Sequence, residues 1–432
     1  MATLIKPTGA NRSAPPARQG LRVAYIMSRF PKLTETFVLY EMLAMERLGL
    51  KVEVFPLQRG DEKMLHEEAA RMVERARFTP LIFSWSLLRA HTYYLRRRPA
   101  AYLNTLWTLL SANFGSLRYF IAALVFFPKS VLMARQMTTA GVAHVHAHFA
   151  SHPAAVAFVV HRLTGIPFSF TAHGSDLHCD RHMLPEKVVA AAFVVPISEY
   201  NRRIVLAECG QELDEKLHVI HCGIDTRVFQ SQKETSFERG VGPFTIVCTG
   251  TLHEVKGQRY LIEACELLAE RGVEFQCHLI GDGPDRERLE ARVRRSSLQH
   301  RVRFHGNLVR TEVREVLRQA DVVAAPSVLT RDGRREGIPV ALMEALGCGI
   351  PAVASRLSGI PELIEDGVTG LLVPPGDARR LADALERLSG DVQLRHTMAG
   401  QGQTKVKQEF DLAINAGKLA DRILQTHYGL GE

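Results

Sequence analysis

Glu336-Gly337-Ile338-Pro339-Val340-Ala341-Leu342-Met343-Glu344 is the stretch that says most about the fold, and it continues as Ala345-Leu346-Gly347-Cys348-Gly349-Ile350-Pro351. On a helix, its two glutamates would lie about 12 Å apart along the axis. Side chains that far apart do not act on one bond, but they suit the two ends of an extended ligand. Pro339 favours a helix start, which places Glu336 on the preceding loop and Glu344 inside the helix. The unpaired N–H groups of the first turn would attract an anion between the two carboxylates.

This arrangement resembles the Glu-x7-Glu signature of the retaining glycosyltransferases of family 4, which use nucleotide-sugar donors and have the GT-B fold. The resemblance implies that Glu336 contacts the donor sugar and Glu344 the ribose hydroxyls, with Gly337 and Ile338 also at the donor. The alternative is that both glutamates are solvated charges. The flanking Gly-Ile-Pro and Gly-Cys-Gly-Ile-Pro sequences favour the family.

Strands and helices alternate in both halves of the 432-residue chain, which is long enough for two domains. Strands are predicted at 21–27, 52–56, 143–147, 168–172 and 193–197, then at 244–250, 274–281, 302–305, 322–326 and 352–355. Such a pattern is typical of parallel sheets covered by helices, with ligands at the carboxyl ends of the strands. We therefore expect an α/β protein in which two Rossmann-like domains face each other across an active-site cleft, as in GT-B.

The expected division of the chain follows from a break near 222–242 and from the resemblance. It gives a mobile tail (1–20), an N-terminal acceptor-side domain (21–222) with a helical, basic insertion (about 78–140), a C-terminal nucleotide-sugar domain (223–410) and a final helix that returns to the first domain (411–432).

Cysteine usage indicates a reducing compartment. The seven cysteines form no Cys-x-x-Cys pair, and their odd number argues against a disulfide framework. The first twenty residues have no sustained apolar core, so we do not expect a signal peptide. The protein is expected in the cytoplasm.

Positive charge is concentrated in the first half. No Asp or Glu occurs between Glu74 and Asp176, a span that holds ten Lys or Arg together with many aromatic residues. Basic and aromatic residues on helix-prone sequence suit an anionic membrane surface. The apolar run Tyr119–Phe127 is short of the roughly twenty residues needed to span a bilayer. We expect peripheral contact with the inner face of the plasma membrane; the alternative is that the aromatic side chains are buried between helices. Nucleic acid is not an expected partner, because no recognised module is present.

Lys256 lies in Gly250-Thr251-Leu252-His253-Glu254-Val255-Lys256-Gly257, between a strand and a helix. A lysine there is placed to meet a phosphate as a point charge. The family usually has Arg-x4-Lys in this loop, both holding the donor diphosphate. Lys256 matches the lysine, and Thr251 stands at the arginine position.

Two further loops follow strands of the second half. Gly281-Asp282-Gly283-Pro284 resembles the Gly-x-Gly-Pro turn of the family, and its glycines would let the backbone approach the donor. The resemblance also assigns Leu308 and Val309, after the next strand, to contact with the nucleotide base.

In the first half, His146 and His148 point to the same face of a strand, so a metal site must be considered. No carboxylate or cysteine lies near them in sequence, and the chain has no Asp-x-Asp. The resemblance implies a metal-independent enzyme. We therefore expect no metal and no cofactor.

The segment His173-Gly174-Ser175-Asp176 resembles the family's His-Gly-x-Asp motif, which implies that His173 lies near the donor sugar. The alternative is a histidine packed at a strand end. Pro31-Lys32-Leu33-Thr34-Glu35-Thr36-Phe37 resembles the subgroup that builds bacterial exopolysaccharides such as colanic acid. Glu35, Thr36, His148 and Asp176 are expected on the acceptor side.

The expected function is retaining hexosyl transfer from a nucleoside-diphosphate sugar to a glycan or polyprenyl-linked acceptor in bacterial surface polysaccharide biosynthesis. His173, Lys256 and Glu336 are the expected catalytic residues. The alternative is a nucleotide-sugar-binding protein, or an epimerase on the same fold. The oligomeric state stays open.

Overall fold

Two parallel sheets, each covered by helices on both faces, form the protein. The computed structural model describes residues 20–32, 35–60, 67–79, 84–178, 181–229 and 242–429. The expected N-terminal tail, apart from Gly20, lies outside the described residues.

The first sheet contains five strands in the order β2-β1-β3-β4-β5, all parallel. They are β1 (Arg22–Phe30), β2 (Lys51–Arg59), β3 (His144–His148), β4 (Phe168–Ala172) and β5 (Phe193–Pro196). Every residue of the last three strands is buried, because helices cover both faces of a parallel sheet. All five strands coincide with predicted ones.

Nine helices accompany this sheet in the described residues. They are α1 (Thr36–Arg47), α2 (Glu67–Arg75), α3 (Trp85–Arg97), α4 (Pro99–Ala112), α5 (Leu117–Ala140), α6 (His152–Thr164), α7 (Ser175–His178), α8 (Leu184–Ala190) and α9 (Glu199–Cys209). Helices α3 to α5 lie between β2 and β3, where the inserted helices were expected. Ser84 caps α3 by accepting a hydrogen bond from the N–H of Leu87 at 3.3 Å, and Gly141 ends α5 in the left-handed conformation.

Helix α5 is the longest apolar helix in the part of the chain that the structure describes. By length and composition it is the one helix there that could cross a membrane, and 44% of its most apolar window is buried. The C-terminal part of this helix, from Phe127 to Met137, packs in the hydrophobic core of the N-terminal half of the chain. Lys129 lies in this part and donates to the carbonyl of Leu57 at 3.0 Å.

The second sheet has six parallel strands in the order β11-β10-β9-β6-β7-β8. They are β6 (Phe244–Thr249), β7 (Phe275–Ile280), β8 (Val302–Gly306), β9 (Val322–Ala325), β10 (Ala352–Ser355) and β11 (Gly370–Val373). Strand β11 was not predicted. It is a four-residue edge strand that begins at Gly370, where a Cβ would lie 2.5 Å from the carbonyl oxygen of Ala352, and glycine is depleted in strands.

Among the described residues, seven helices surround the second sheet, and an eighth crosses back. The seven are α10 (Gln258–Glu270), α11 (Arg286–Arg295), α12 (Arg310–Leu317), α13 (Val340–Gly347), α14 (Ile360–Leu363), α15 (Ala378–Gly390) and α16 (Val392–Glu409). Helix α17 (Leu412–Tyr428) is capped at its N-terminus by Asp411, whose carboxylate accepts from the N–H groups of Ala413 and Ile414. Its buried face, including Leu419 and Ile423, packs in one core with Met42 and Met45 of α1. The last helix therefore belongs by packing to the first half.

The two halves also meet where Glu362 of α14 reaches the start of α9. Its carboxylate accepts from the backbone N–H of Glu199 at 2.9 Å and of Tyr200 at 3.0 Å, and from Nε2 of His221 at 3.2 Å. A side chain of one half thus caps a helix of the other. Burial alone would raise the pKa of the Glu362 carboxyl, but the hydrogen bonds outweigh burial and the pKa is lowered.

Replacing Glu362 with Gln should destabilise the contact between the halves by about 0.5–2 kcal/mol, the usual range for loss of a helix cap. A lowered folded-state pKa means that the stabilisation is complete above the ordinary glutamate value of 4.5 and is lost as pH falls through the lowered value. Thermal unfolding should therefore separate wild type from Glu362→Gln at neutral pH, and the difference should shrink in acid. Glu365→Gln, an exposed position nearby, is the control. Equal melting temperatures for the two variants at pH 7 would contradict the interpretation.

Candidate active site

Lys256 and Glu336 form an ion pair at the carboxyl edge of the second sheet. Lys256 ends a short 3₁₀ turn, Glu254–Lys256, which His253 caps by accepting from the N–H of Val255 at 3.3 Å. Its Nζ is 2.7 Å from Oε2 of Glu336, and the two side chains are 25% and 18% exposed. The two residues separately expected at the diphosphate and at the sugar are thus in direct contact.

Gly257 holds the loops that carry this pair together. It has φ +67°, and a Cβ at this position would lie 1.9 Å from the carbonyl oxygen of Pro326. The N–H of Val328 also donates to the carbonyl of Val255 at 2.9 Å. Only glycine permits this approach of the β6 loop to the β9 loop.

Gly281 and Gly283 lie against the neighbouring β6 loop. A Cβ on Gly281 would lie 2.2 Å from the carbonyl oxygen of Gly250, and a Cβ on Gly283 would lie 2.4 Å from that of Leu252. Glycine at both positions therefore makes room for the β6 loop, and the expected contact of this turn with the donor stays a prediction. Their loop still lies beside the loop of Lys256.

Helix α13 begins directly after Pro339, as the sequence predicted. Pro339 is the capping residue, with φ −65° and ψ 126°, and Val340 is the first helical residue. Glu336 accordingly lies on the loop before the helix, and Glu344 lies inside it and is half-buried. The side chain of Ile338 is 6% exposed and packs in the core of the second half, so it does not present an open surface to a donor.

The two residues expected at the nucleotide base lie at the start of α12. Leu308 is half-buried against the core of the second half. Val309 is 36% exposed, and its N–H donates to the carboxylate of Glu312 at 2.9 Å. Val309 is thus the more accessible of the two.

Gly337 brings the loop of Glu336 against the first half of the chain. A Cβ on Gly337 would lie 3.2 Å from the carbonyl oxygen of His173 and 3.3 Å from Cδ1 of Ile197. Nearby, Arg335 donates to the hydroxyl of Tyr200 at 2.6 Å. The carboxyl edges of the two sheets therefore meet at the turn that carries His173.

His173 is 7% exposed and is held on all sides. Its Nε2 is 3.0 Å from Nδ1 of His148, its Nδ1 is 3.8 Å from Sγ of Cys222, and its carbonyl accepts from Nδ2 of Asn201 at 2.6 Å. The rings of Phe37 and Phe149 lie within 4.8 Å of its ring centre. Burial lowers the pKa of His173 well below its ordinary value, so the imidazole is neutral at neutral pH.

Asp176, one of the residues expected on the acceptor side, is buried and connects two loops through hydrogen bonds. Its carboxylate accepts from the backbone N–H groups of Ala150, His173 and Gly174 at 2.5, 3.1 and 2.7 Å. It therefore fixes the turn after β4 against the end of β3.

Glu35 and Thr36 lie at the start of α1, where Glu35 pairs with Lys32. The residue that reaches His173 from this segment is Phe37. The segment therefore contributes to the surroundings of His173 through an aromatic ring that the sequence motif does not single out.

Glu41 is the main site residue that sequence reasoning missed. Its Oε1 lies 3.1 Å from Nε2 of His148, 4.0 Å from Nε2 of His146, and accepts from the hydroxyl of Tyr25 at 3.0 Å. Burial alone would raise the pKa of Glu41, but His148, His146 and the hydroxyl of Tyr25 together outweigh burial and the pKa is lowered. Glu41 lies one helical turn from both Phe37 and Met45, on the apolar face of α1. A charged residue on an apolar helix face is the sequence signal that could have marked Glu41 as a site residue.

Three possible metal ligands lie close enough together to surround a cation: Glu41, His146 and His148. The sequence does not reveal this cluster, because Glu41 is far from the two histidines along the chain. Every ring nitrogen of the two histidines nevertheless has a protein partner. Nδ1 and Nε2 of His146 meet the hydroxyls of Ser169 at 2.8 Å and Thr171 at 3.0 Å. Burial lowers the pKa of His146 to about 3. Hydrogen bonding thus accounts for the cluster.

Comparison with known proteins supports a relationship over nearly the whole chain. Residues 243–391 match the family model described as glycosyl transferases group 1. The chain is 30% identical to the putative colanic acid biosynthesis glycosyltransferase WcaL of Salmonella typhimurium, covering 94% of this chain and 100% of the relative. It is also 30% identical to the amylovoran biosynthesis glycosyltransferase AmsK of Erwinia amylovora, covering 93% and 98%.

Solved structures share the architecture. HepE of Anabaena, in complex with UDP, superimposes with a TM-score of 0.69 at 18% identity and covers 93% of this chain and 98% of its own. Sucrose-phosphate synthase of Thermosynechococcus elongatus gives a TM-score of 0.66 at 19% identity, with 92% and 98% covered.

Gly257→Ala should displace the loop of Lys256, because the new Cβ meets a backbone carbonyl that has no rotamer to change. We expect a larger loss of stability than the roughly 1–2 kcal/mol that the left-handed conformation alone costs an L-residue. Gly272→Ala is the matched control, since Gly272 has φ +76° but nothing within 4 Å of its Cβ position. Denaturant unfolding of the two variants measures the difference, and equal losses would show that the Pro326 contact is unimportant.

Proposed function

Because the chain belongs to the group 1 glycosyltransferases and has the GT-B fold, we propose that it transfers a sugar from a nucleoside-diphosphate donor bound in the cleft between its two halves. The observation that carries this proposal is the contact between Lys256 and Glu336 at the point where Gly337 meets the turn of His173. A cation for a leaving diphosphate and a carboxylate for sugar hydroxyls are thereby placed beside the opposing half.

The protein groups act chiefly by positioning and by stabilising charge. Lys256 would exchange part of its pairing with Glu336 for the diphosphate as negative charge develops there. Glu336 would then orient the sugar ring, and Glu344, farther along α13, would take the ribose hydroxyls. The start of α13 adds a positive helix end to the same place.

Retention of the anomeric configuration and independence of metal ions are part of the proposal. A retaining glycosidase needs a pair of carboxyl groups about 5–5.5 Å apart around the anomeric carbon. Glu336 faces a lysine here, which suits front-side transfer, in which the departing diphosphate helps to take the acceptor proton. Activity that persists in a chelator and a product with the donor's configuration would support this.

The acceptor is proposed to be a glycan or polyprenyl-linked sugar of a surface polysaccharide, because two relatives that cover nearly the whole chain are named for colanic acid and amylovoran biosynthesis. HepE, a structural neighbour, has been crystallised with UDP-glucose. Uridine nucleotides are therefore the first donors to test.

A lipid-linked acceptor fits the surface of helices α3 to α5. Ten of the sixteen large apolar side chains that are exposed in the described residues belong to this segment, among them Trp85 (78% exposed), Trp107 (73%) and Phe114 (81%). Exposed arginines accompany them, including Arg96 and Arg97. Apolar side chains beside positive charge, with no acid among them, favour peripheral binding to an anionic bilayer.

The catalytic assignment predicts different effects for the two glutamates. Glu336→Ala should lower kcat by roughly 100-fold or more, the scale for misplaced reacting groups. Glu344→Ala should mainly raise the donor KM. Initial rates with a panel of nucleotide sugars measure both, and Glu315→Ala, on an exposed position of α12, is the control.

Unchanged transfer in Glu336→Ala would refute the site assignment. Saturable donor binding by wild type without transfer or hydrolysis would favour a binding protein, and interconversion of the sugar on its nucleotide would favour an epimerase.

The membrane proposal predicts that wild type sediments with anionic liposomes at low salt and is released as salt rises, since charge contributes to binding. Replacing Trp107 and Phe114 together with Ser should reduce the bound fraction strongly, because both rings are exposed. The control variant replaces Leu329 and Ile414 with Ser in the same way; both side chains are exposed but lie outside helices α3 to α5. Wild type remaining in the supernatant at low salt would overturn the proposal.

A further inference from the structure

A continuous chain of hydrogen bonds runs from the interior of the first half to His173. It begins at the hydroxyl of Tyr25, which donates to Oε1 of Glu41 at 3.0 Å. The same oxygen lies 3.1 Å from Nε2 of His148, and Nδ1 of His148 lies 3.0 Å from Nε2 of His173. Each member comes from a different element: β1, α1, the end of β3 and the turn after β4.

Counting one proton on each ring gives the order of the hydrogen bonds. An ionised carboxylate only accepts, so Nε2 of His148 must donate to Glu41. With its single proton on Nε2, His148 has an unprotonated Nδ1, which accepts from Nε2–H of His173 across 3.0 Å. His173, with its own single proton on Nε2, is left with an unprotonated Nδ1.

The packing leaves His173 little freedom to adopt another arrangement. Phe37 and Phe149 flank its ring, and the aromatic ring of Tyr25 stacks on His148 with centres 5.7 Å apart. The partner of Nδ1 is the thiol of Cys222 at 3.8 Å. A thiol is a weak donor, so a substrate hydroxyl could replace it with a gain in hydrogen bonding.

We propose that Glu41 and His148 are positioning residues that hold the proton of His173 on Nε2 and so present its Nδ1 as a hydrogen-bond acceptor for a hydroxyl of the sugar substrates. The identity of that hydroxyl rests on the proposed function, whereas the order of the protons does not. The logic is that of a carboxylate that fixes the tautomer of a histidine, here extended through a second imidazole.

The tautomer can be measured directly. In protein labelled with ¹⁵N-histidine at pH 8, the nitrogen shifts of His173 should report a protonated Nε2 and an unprotonated Nδ1, with the signal assigned by its loss in His173→Asn. Glu41→Leu removes the acceptor, so we expect a mixture of tautomers at His173. We also expect a fall in kcat of about 10- to 100-fold, the scale of a lost hydrogen bond to a charged group. The donor KM should change little.

Glu41→Gln keeps an acceptor oxygen and should restore part of both properties. Glu46→Leu, on the same helix but paired with Arg75 at the surface, should leave the tautomer and kcat unchanged. A wild-type His173 protonated on Nδ1 would overturn the proposal. So would a stoichiometric metal ion in purified wild type that is lost in Glu41→Leu. A wild type with the expected tautomer but no transfer with any donor would instead refute the proposed function and the sugar hydroxyl with it.

Discussion

The contact of Gly337 with the carbonyl of His173 is the constraint on which the site depends. It brings together the carboxyl edges of two parallel sheets, where loops rather than strands carry the chemistry. A side chain at residue 337 would require the neighbouring groups to move by a few tenths of an ångström, since its Cβ would lie 3.2 Å from the carbonyl oxygen and 3.3 Å from Cδ1 of Ile197. The pairing of Lys256 with Glu336 lies directly beside this contact. The helix cap that Glu362 provides to α9 fixes the same two halves at a second point.

The two edges are built by different physical means. In the second half, glycines allow backbone to lie against backbone, as at Gly257, Gly281 and Gly283, and the loops form one layer that carries a cation and a carboxylate. In the first half, hydrogen bonds from buried polar side chains hold the loops together. The Asp176 carboxylate accepts from three backbone N–H groups, and the Glu41 carboxylate is hydrogen-bonded to His148. A buried network of this kind favours one arrangement, because a group left without its partner is costly.

Local sequence predicted the parts of the molecule that are local in origin. Ten strands were predicted because buried parallel strands are short apolar runs between turns, whereas β11 begins with a glycine, a residue depleted in strands. Lys256, Glu336 and His173 could be singled out from the sequence because each lies in a contiguous motif. Glu41 was missed because it reaches His148 across 107 residues, and the metal question was judged without it. The side chain of Ile338, a residue expected at the donor, lies in the core. Neither placement could be predicted without knowing which elements become neighbours.

In the proposed complex, a nucleotide sugar binds with its diphosphate at Lys256 and its sugar between Glu336 and the turn of His173. A crystal structure of the protein with an intact uridine-diphosphate sugar, or with a non-hydrolysable analogue, tests this most directly. We expect a diphosphate oxygen within hydrogen-bond distance of Lys256 Nζ and a sugar hydroxyl hydrogen-bonded to the Glu336 carboxylate. A donor bound away from Lys256, or a sugar that contacts neither Glu336 nor the turn of His173, would contradict it.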